Sequence, residues 1–201
     1  HGPWSGLWHA ARDGWPMMPG HGHQDIGGFE LHYDDTPLFV DRGRGVYGDN
    51  NPDVSTRAHN SLIVDGQDAY PPNRPYYNDR FRREIGGEPP RLTREADGIE
   101  LSHHGFERLK DIGAVTRNWR FTPDALTLHD RVEGRADHRV TRRLHTTQQV
   151  SRSGQGIEIQ SGGQIFRLSA DGDIAVSEEV CWRAYGEAVT STVIDITIAA
   201  A

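Results

Sequence analysis

The stretch VTRNWRFTPDALTLHDRVEGRADHRVTRRLHT, residues 115–146, sets the fold. It contains three strand-like runs, 115–121, 126–132 and 139–146, parted by Thr122-Pro123-Asp124 and by Gly134, residues that favour a turn over continued strand. The same rhythm extends in both directions. Upstream lie runs at 92–94 and 99–102, with Asp97-Gly98 between them; downstream lie runs at 157–160, 164–168, 174–176, 180–184 and 189–198, with breaks at Ser153-Gly154, Gly162-Gly163 and Asp171-Gly172. Short strands recurring about every ten residues, with turn formers between, predict an all-β protein, an antiparallel β-sandwich of many short strands. Helix is expected to be minor, because no long segment keeps a 3.6-residue period.

Towards the N-terminus the pattern becomes less regular. Phe29, Leu31 and Tyr33 alternate with Glu30, His32 and Asp34, which predicts a strand with the first three residues on one face. Asp34-Asp35-Thr36-Pro37 then forms a turn, and Leu38-Phe39-Val40 a short return strand. Residues 42–58 read as a long Gly-, Asn- and Asp-rich loop, of the kind that is usually functional when it sits inside a compact domain. The run 61–64 reads as a strand ending at Asp65-Gly66. Residues 1–19 carry Trp4, Trp8 and Trp15 among Gly and Pro and read as an irregular lead-in, its indoles packing against the domain or stacking on sugar. The domain itself is expected to be single, over 20–201.

Composition narrows the partners. The 201 residues hold 22 Lys and Arg against 29 Asp and Glu, a net charge of −7, which offers no global basic footprint for nucleic acid. There is no apolar run long enough to span a membrane. The single cysteine, Cys181, cannot form an internal disulfide and reads as buried and inert beside Trp182. The chain starts at His1 without an initiator Met, so it reads as a portion of a longer protein or as a processed one.

The chemistry concentrates in residues 20–67. His21 and His23 are spaced H-x-H, Asp41 closes the run Pro37-Leu38-Phe39-Val40, and His59 opens the next apolar run, each expected at the edge of a strand. Short turns would let His23, Asp41 and His59 converge, and two imidazoles plus a carboxylate suit zinc, with a fourth position left over. With eleven histidines in the chain, such a pair also arises by chance. A second segment, 69–90, interleaves Tyr70, Tyr76 and Tyr77 with Arg74, Arg80, Arg82 and Arg83. Guanidinium forks and aromatic faces suit an acidic saccharide, and a solvated excursion fits equally. His103, His104, His129, His138 and His145 read singly as surface or hydrogen-bonded histidines. The sequence has no phosphate-binding glycine loop, no G-x-S-x-G and no H-E-x-x-H, which removes the usual nucleotide, serine-hydrolase and zincin readings.

Three ordered blocks, HGHQDIGGF at 21–29, PLFVDRG at 37–43 and RAHNSLIVDG at 57–66, with Tyr47 in the loop between the last two, resemble the C-terminal β-domain of the heparinase II/III-like polysaccharide lyases. A weaker echo lies at Ala184-Tyr185-Gly186-Glu187. The resemblance implies a β-sandwich carried behind an N-terminal helical toroid, and cleavage of acidic, uronate-containing polysaccharides such as heparan sulfate or alginate by β-elimination. It implies His21 as a catalytic histidine and His23, Asp41 and His59 as ligands of a mainly structural metal, Zn2+ first, with Mn2+ or Ca2+ as alternatives. It places Tyr47 at substrate, and Arg74, Tyr76 and Tyr77 are candidates for the same role. A periplasmic or secreted location follows from the substrate class. The family's catalytic tyrosine comes from the toroid, so the chain is expected to form one wall of a cleft.

Elimination from a uronate requires neutralising the C6 carboxylate, a base for the C5 proton and an acid for the departing O4, and a histidine titrating near neutrality suits the first or second task. Two other readings stand beside this one: a noncatalytic carbohydrate-binding sandwich, and a small zinc hydrolase with Asp25 as base.

Overall fold

A computed structural model describes residues 1–12, 19–45, 51–85, 88–135 and 137–198. Fourteen strands follow in order: β1 Trp4–Trp8, β2 Phe29–Tyr33, β3 Thr36–Phe39, β4 Leu62–Val64, β5 Arg91–Arg94, β6 Gly98–His103, β7 Ile112–Phe121, β8 Leu126–Gly134, β9 Val140–Thr146, β10 Gln149–Ser153, β11 Gly156–Ser161, β12 Gln164–Leu168, β13 Asp173–Ala184 and β14 Glu187–Ile198. They build an antiparallel β-sandwich from two four-stranded sheets, ordered β5-β6-β7-β8 and β13-β14-β9-β4, and two three-stranded sheets, β1-β2-β3 and β10-β11-β12. Among the described residues the one α-helix is α1, Asp79–Glu84, begun by the Asn78 side chain accepting from the Phe81 amide at 2.9 Å.

One apolar core runs through all four sheets. Phe29, Leu31, Leu101, Val115, Trp119, Leu144, Ile159 and Ile194 belong to it, and the expected alternation of Phe29, Leu31 and Tyr33 faces it. The two four-stranded sheets are also joined by charge. Asp130 on β8 accepts from Arg117 Nε on β7 at 2.8 Å and from Arg142 Nε on β9 at 2.6 Å. Burial pushes the Asp130 carboxyl up, but the two guanidinium groups outweigh it and hold the group below its ordinary value. The fully buried Arg117 also donates through Nη1 to the carbonyls of Gly27 and Asn60, at 2.7 and 3.1 Å. The sheet interior thereby grips both segments that carry the histidines.

Three features depart from the sequence reading. Residues 4–8 are not an irregular lead-in: they pair in register with β2, Trp4 opposite Tyr33 and Trp8 opposite Phe29. Trp4 is buried against Tyr33, Phe121 and Phe166 and donates its Nε1 to Thr122 O at 2.8 Å, and Trp8 packs edge-on against Trp119 and Phe121, so these two indoles serve packing, while Trp15 lies outside the described residues. β10 is an additional strand of mostly polar residues, and the runs at 174–176 and 180–184 are parts of the single strand β13. Finally, His21 does not sit on a strand. It ends a 3-10 turn, Pro19–His21, and residues 22–28 are irregular, so neither His21 nor His23 lies at the strand edge expected for it.

Candidate metal centre and catalytic histidine

The irregular segment before β2 is held by side chains rather than by a ladder. Thr56 Oγ1 donates to Gln24 O at 2.6 Å, Ser61 Oγ to Ile26 O at 2.5 Å, and the Gln24 amide to Val54 O at 2.8 Å. Gly27, at φ +71°, makes a turn closed by the Gly28 amide on Asp25 O at 2.7 Å, a backbone conformation that disfavours a Cβ. Residues 23–25 are thus pinned against the segment 54–61, which carries His59.

His23 and His59 come together, with ring centroids 5.2 Å apart and planes tilted by 40°. Asp41, two residues beyond β3, places Oδ2 2.6 Å from His59 Nδ1, while its Oδ1 accepts from the Gly43 amide at 2.9 Å. These three residues line one cavity of about 140 Å³, together with His9 and Asp25. His9 Nε2 lies 3.0 Å from Asp25 Oδ1. The closest set of donor atoms belongs to His23, Asp25 and His59, all within 4.8 Å of one another. That is somewhat wider than the roughly 3.3 Å between ligands on one tetrahedral ion, a gap that small side-chain adjustments close.

The donor set fits a divalent cation. His59 is 1% exposed, and its Nε2 is buried without a hydrogen-bond partner among the described residues. A buried orphan nitrogen is costly unless something binds it, and a metal ion would. Burial disfavours charged His59, yet the Asp41 bond outweighs this and raises its pKa above the ordinary value. Burial also opposes ionised Asp41, which His59 nonetheless holds below the usual carboxylate range. Burial and then the neighbouring His59 push His23 the other way, towards the neutral ligand form. Asp41 on the second nitrogen of His59 is the carboxylate–histidine arrangement that fixes which nitrogen faces a metal.

His21 is exposed, two residues from His23. Arg44 Nη1 donates to Gly20 O at 3.3 Å, and the Tyr76 hydroxyl lies so close to Gly20 that a Cβ there would be 3.0 Å from it. Tyr76 and Arg74, stacked at 5.2 Å, therefore lie beside the segment that ends in His21. Tyr77 packs edge-on against Phe81 of α1. Tyr47 lies outside the described residues. Cys181 is buried and donates towards Asp41 O at 3.6 Å, in keeping with an inert role.

Asp25 and His9 escaped the sequence reading of the metal set. Asp25 had a signal, since it continues His21 and His23 at the same two-residue spacing. His9 had none, because only the pairing of β1 with β2 brings it there.

Known proteins define the class. The heparinase II/III-like C-terminal family matches residues 8–200, and the chain belongs to that family. Its fold is similar to that of a heparinase III (16% identity, TM-score 0.67, covering 97% of this chain and 30% of that one). It is also similar to a heparan sulfate lyase, HepC, from Pedobacter heparinus (13% identity, TM-score 0.63, 90% and 29%) and to another heparinase III (17%, 0.61, 89% and 28%). No curated protein matches the chain. It spans less than a third of the solved chains it resembles, which are larger proteins. Among the described residues no helix is long and apolar enough to cross a membrane.

Proposed function

We propose that this chain is the β-domain of a polysaccharide lyase that cleaves an acidic, uronate-containing polysaccharide by β-elimination, acting with an N-terminal helical domain. The observation that carries the reading is an exposed histidine, His21, held two residues from His23, which meets the buried His59 and its partner Asp41, in a chain whose family match covers 8–200. His21 would face the uronate, either neutralising C6 or taking the C5 proton, and Arg74 and Tyr76 beside it suit a carboxylate- or sulfate-bearing sugar. Tyr47 and Tyr77 complete the candidate substrate contacts.

A divalent ion, Zn2+ in first place with Mn2+ or Ca2+ as alternatives, would be held at the cavity of His23, Asp41 and His59. Its contribution would be positional, tying the His21 segment to the segments after β3 and before β4. A periplasmic or secreted setting suits the substrate class.

The test is His21→Ala in the full-length protein, assayed for unsaturated uronate products by ultraviolet absorbance across several polyuronates. Loss of elimination by a factor of roughly 100 or more, with glycan binding retained, is the expected result. Cleavage at the parent rate removes His21 from the chemistry. A parent protein that binds polyuronates but cleaves none favours the noncatalytic carbohydrate-binding reading.

A further inference from the structure

We propose that Asp25 is itself a ligand of the metal at this site and that His9 is the outer partner that orients it. This rests on the metal reading above and extends it by two residues.

Two carboxylates lie near the imidazoles, and they face them differently. Asp41 has both oxygens engaged, Oδ2 on His59 Nδ1 and Oδ1 on the Gly43 amide. With Nδ1 taken, His59 has only Nε2 to offer a metal, and that atom is buried and unpartnered among the described residues. The carboxylate grouped with His23 and His59 is Asp25, with one donor atom from each residue inside 4.8 Å. Asp25 is also poorly free to leave. Its neighbour Gln24 is bonded through its amide to Val54 O and through its carbonyl to Thr56, and its own carbonyl closes the turn at Gly28.

His9 is fixed independently. Beyond the end of β1, its amide donates to Gly28 O and its carbonyl accepts from the Gly27 amide, both at 2.9 Å. This backbone pairing brings Nε2 to 3.0 Å from Asp25 Oδ1. Asp25 Oδ1 is buried and makes no hydrogen bond among the described residues, and His9 stands beside it at ion-pair distance, a small adjustment away from the hydrogen bond that ligating carboxylates usually carry. Charge agrees as well. With His23 and His59 in the neutral form that ligation requires, the carboxylates of Asp25 and Asp41 leave the bound site a formal −2, which a divalent cation balances.

The full-length protein, stripped with chelator, is titrated with Zn2+ alone by calorimetry, and the Co2+-substituted form is followed by its visible spectrum. The parent is expected to bind one ion. Asp25→Asn should weaken Zn2+ binding about 100-fold and alter the Co2+ spectrum, and His9→Gln should weaken binding about tenfold. If the parent binds and Asp25→Asn binds equally with an unchanged spectrum, Asp25 is no ligand and this inference alone falls. A parent that takes up no ion overturns the metal reading with it. Apo melting curves check folding; if Asp25→Asn does not fold, His9→Gln decides, with unchanged affinity overturning the proposal.

Discussion

Asn60 Nδ2 donates to the carbonyls of Phe29 and Val40 at 2.7 and 3.0 Å, while its Oδ1 accepts from the His145 amide at 2.6 Å. One fully buried side chain therefore joins the start of β2, the residue before Asp41 and strand β9, next to His59 in sequence. Asn60→Ala strands three buried backbone groups at about 1–3 kcal/mol each, so a loss of about 3 kcal/mol or more is expected in urea unfolding. Its Zn2+ affinity should fall too, because Val40 positions Asp41. His103 tests a different property. It is buried on β6, its Nδ1 accepts from the Gly105 amide at 3.1 Å, and burial pushes its pKa down to about 3. The unfolded chain takes up that proton near pH 6.5, so the folded state loses stability as pH falls from there towards 3, at about 1.4 kcal/mol per pH unit. His145, also buried and also pushed down to about 3, acts in the same direction. The stability advantage of the parent over His103→Asn should therefore shrink by about 2 kcal/mol between pH 7 and pH 5, measured by urea unfolding at each pH. An advantage independent of pH would show that His103 is not held neutral.

At the scale of the element, β6 to β9, β11, β12 and β14 were legible because Gly, Pro and Asp punctuate apolar runs that share one period. β1 was not legible. Trp4, Gly6 and Trp8 fall on one face by the two-residue period, and the exposed glycine between the two indoles hides the alternation. That glycine is required by packing: a Cβ at residue 6 would overlap the carbonyl of Glu30 on β2. Gly6→Ala is therefore expected to cost about 1–3 kcal/mol, read as a lower urea midpoint at unchanged slope, and to loosen the β1 end that carries His9. A parent-like midpoint would mean that β1 yields without cost. The loop 42–58 was legible as a loop, but not the arrangement of its described parts, 42–45 and 51–58. Its frame is the buried Asp53, which accepts from the Gly45 amide at 3.0 Å and pairs with Arg42 at 3.2 Å, a long-range arrangement no local pattern announces. Of the residues that line the cavity, Asp41 and His59 were named from the sequence because each borders an apolar run, and His23 by its H-x-H spacing. His9 could not be, since its position depends on a pairing between segments twenty residues apart.

At the scale of the molecule, the cavity stands where three separately anchored segments meet: the turn before β2, the residues after β3 and the 3-10 turn Thr56–Ala58 that leads to His59. Arg117 reaches two of them from within the sheets, so the site is built on the same core that holds the sandwich together. An ion bound there would link segments far apart in sequence, and since the unfolded chain has no such site, its binding energy would add to folding stability. With free Zn2+ at about 100 times its dissociation constant the gain is about 2.7 kcal/mol, equivalent to roughly 5–10 °C in apparent melting temperature for a chain of this size. Chelation should remove that increment and Zn2+ should restore it, with the isolated domain responding as the full-length protein does. At the same free Zn2+, Asp25→Asn, binding about 100-fold more weakly, should keep only about 0.4 kcal/mol of that gain, so its melting temperature should move by only about 1–2 °C on chelation, and His59→Ala should likewise respond weakly. A melting temperature indifferent to chelation in Zn2+-loaded parent protein would show that the His–Asp cluster holds the three segments by hydrogen bonds alone.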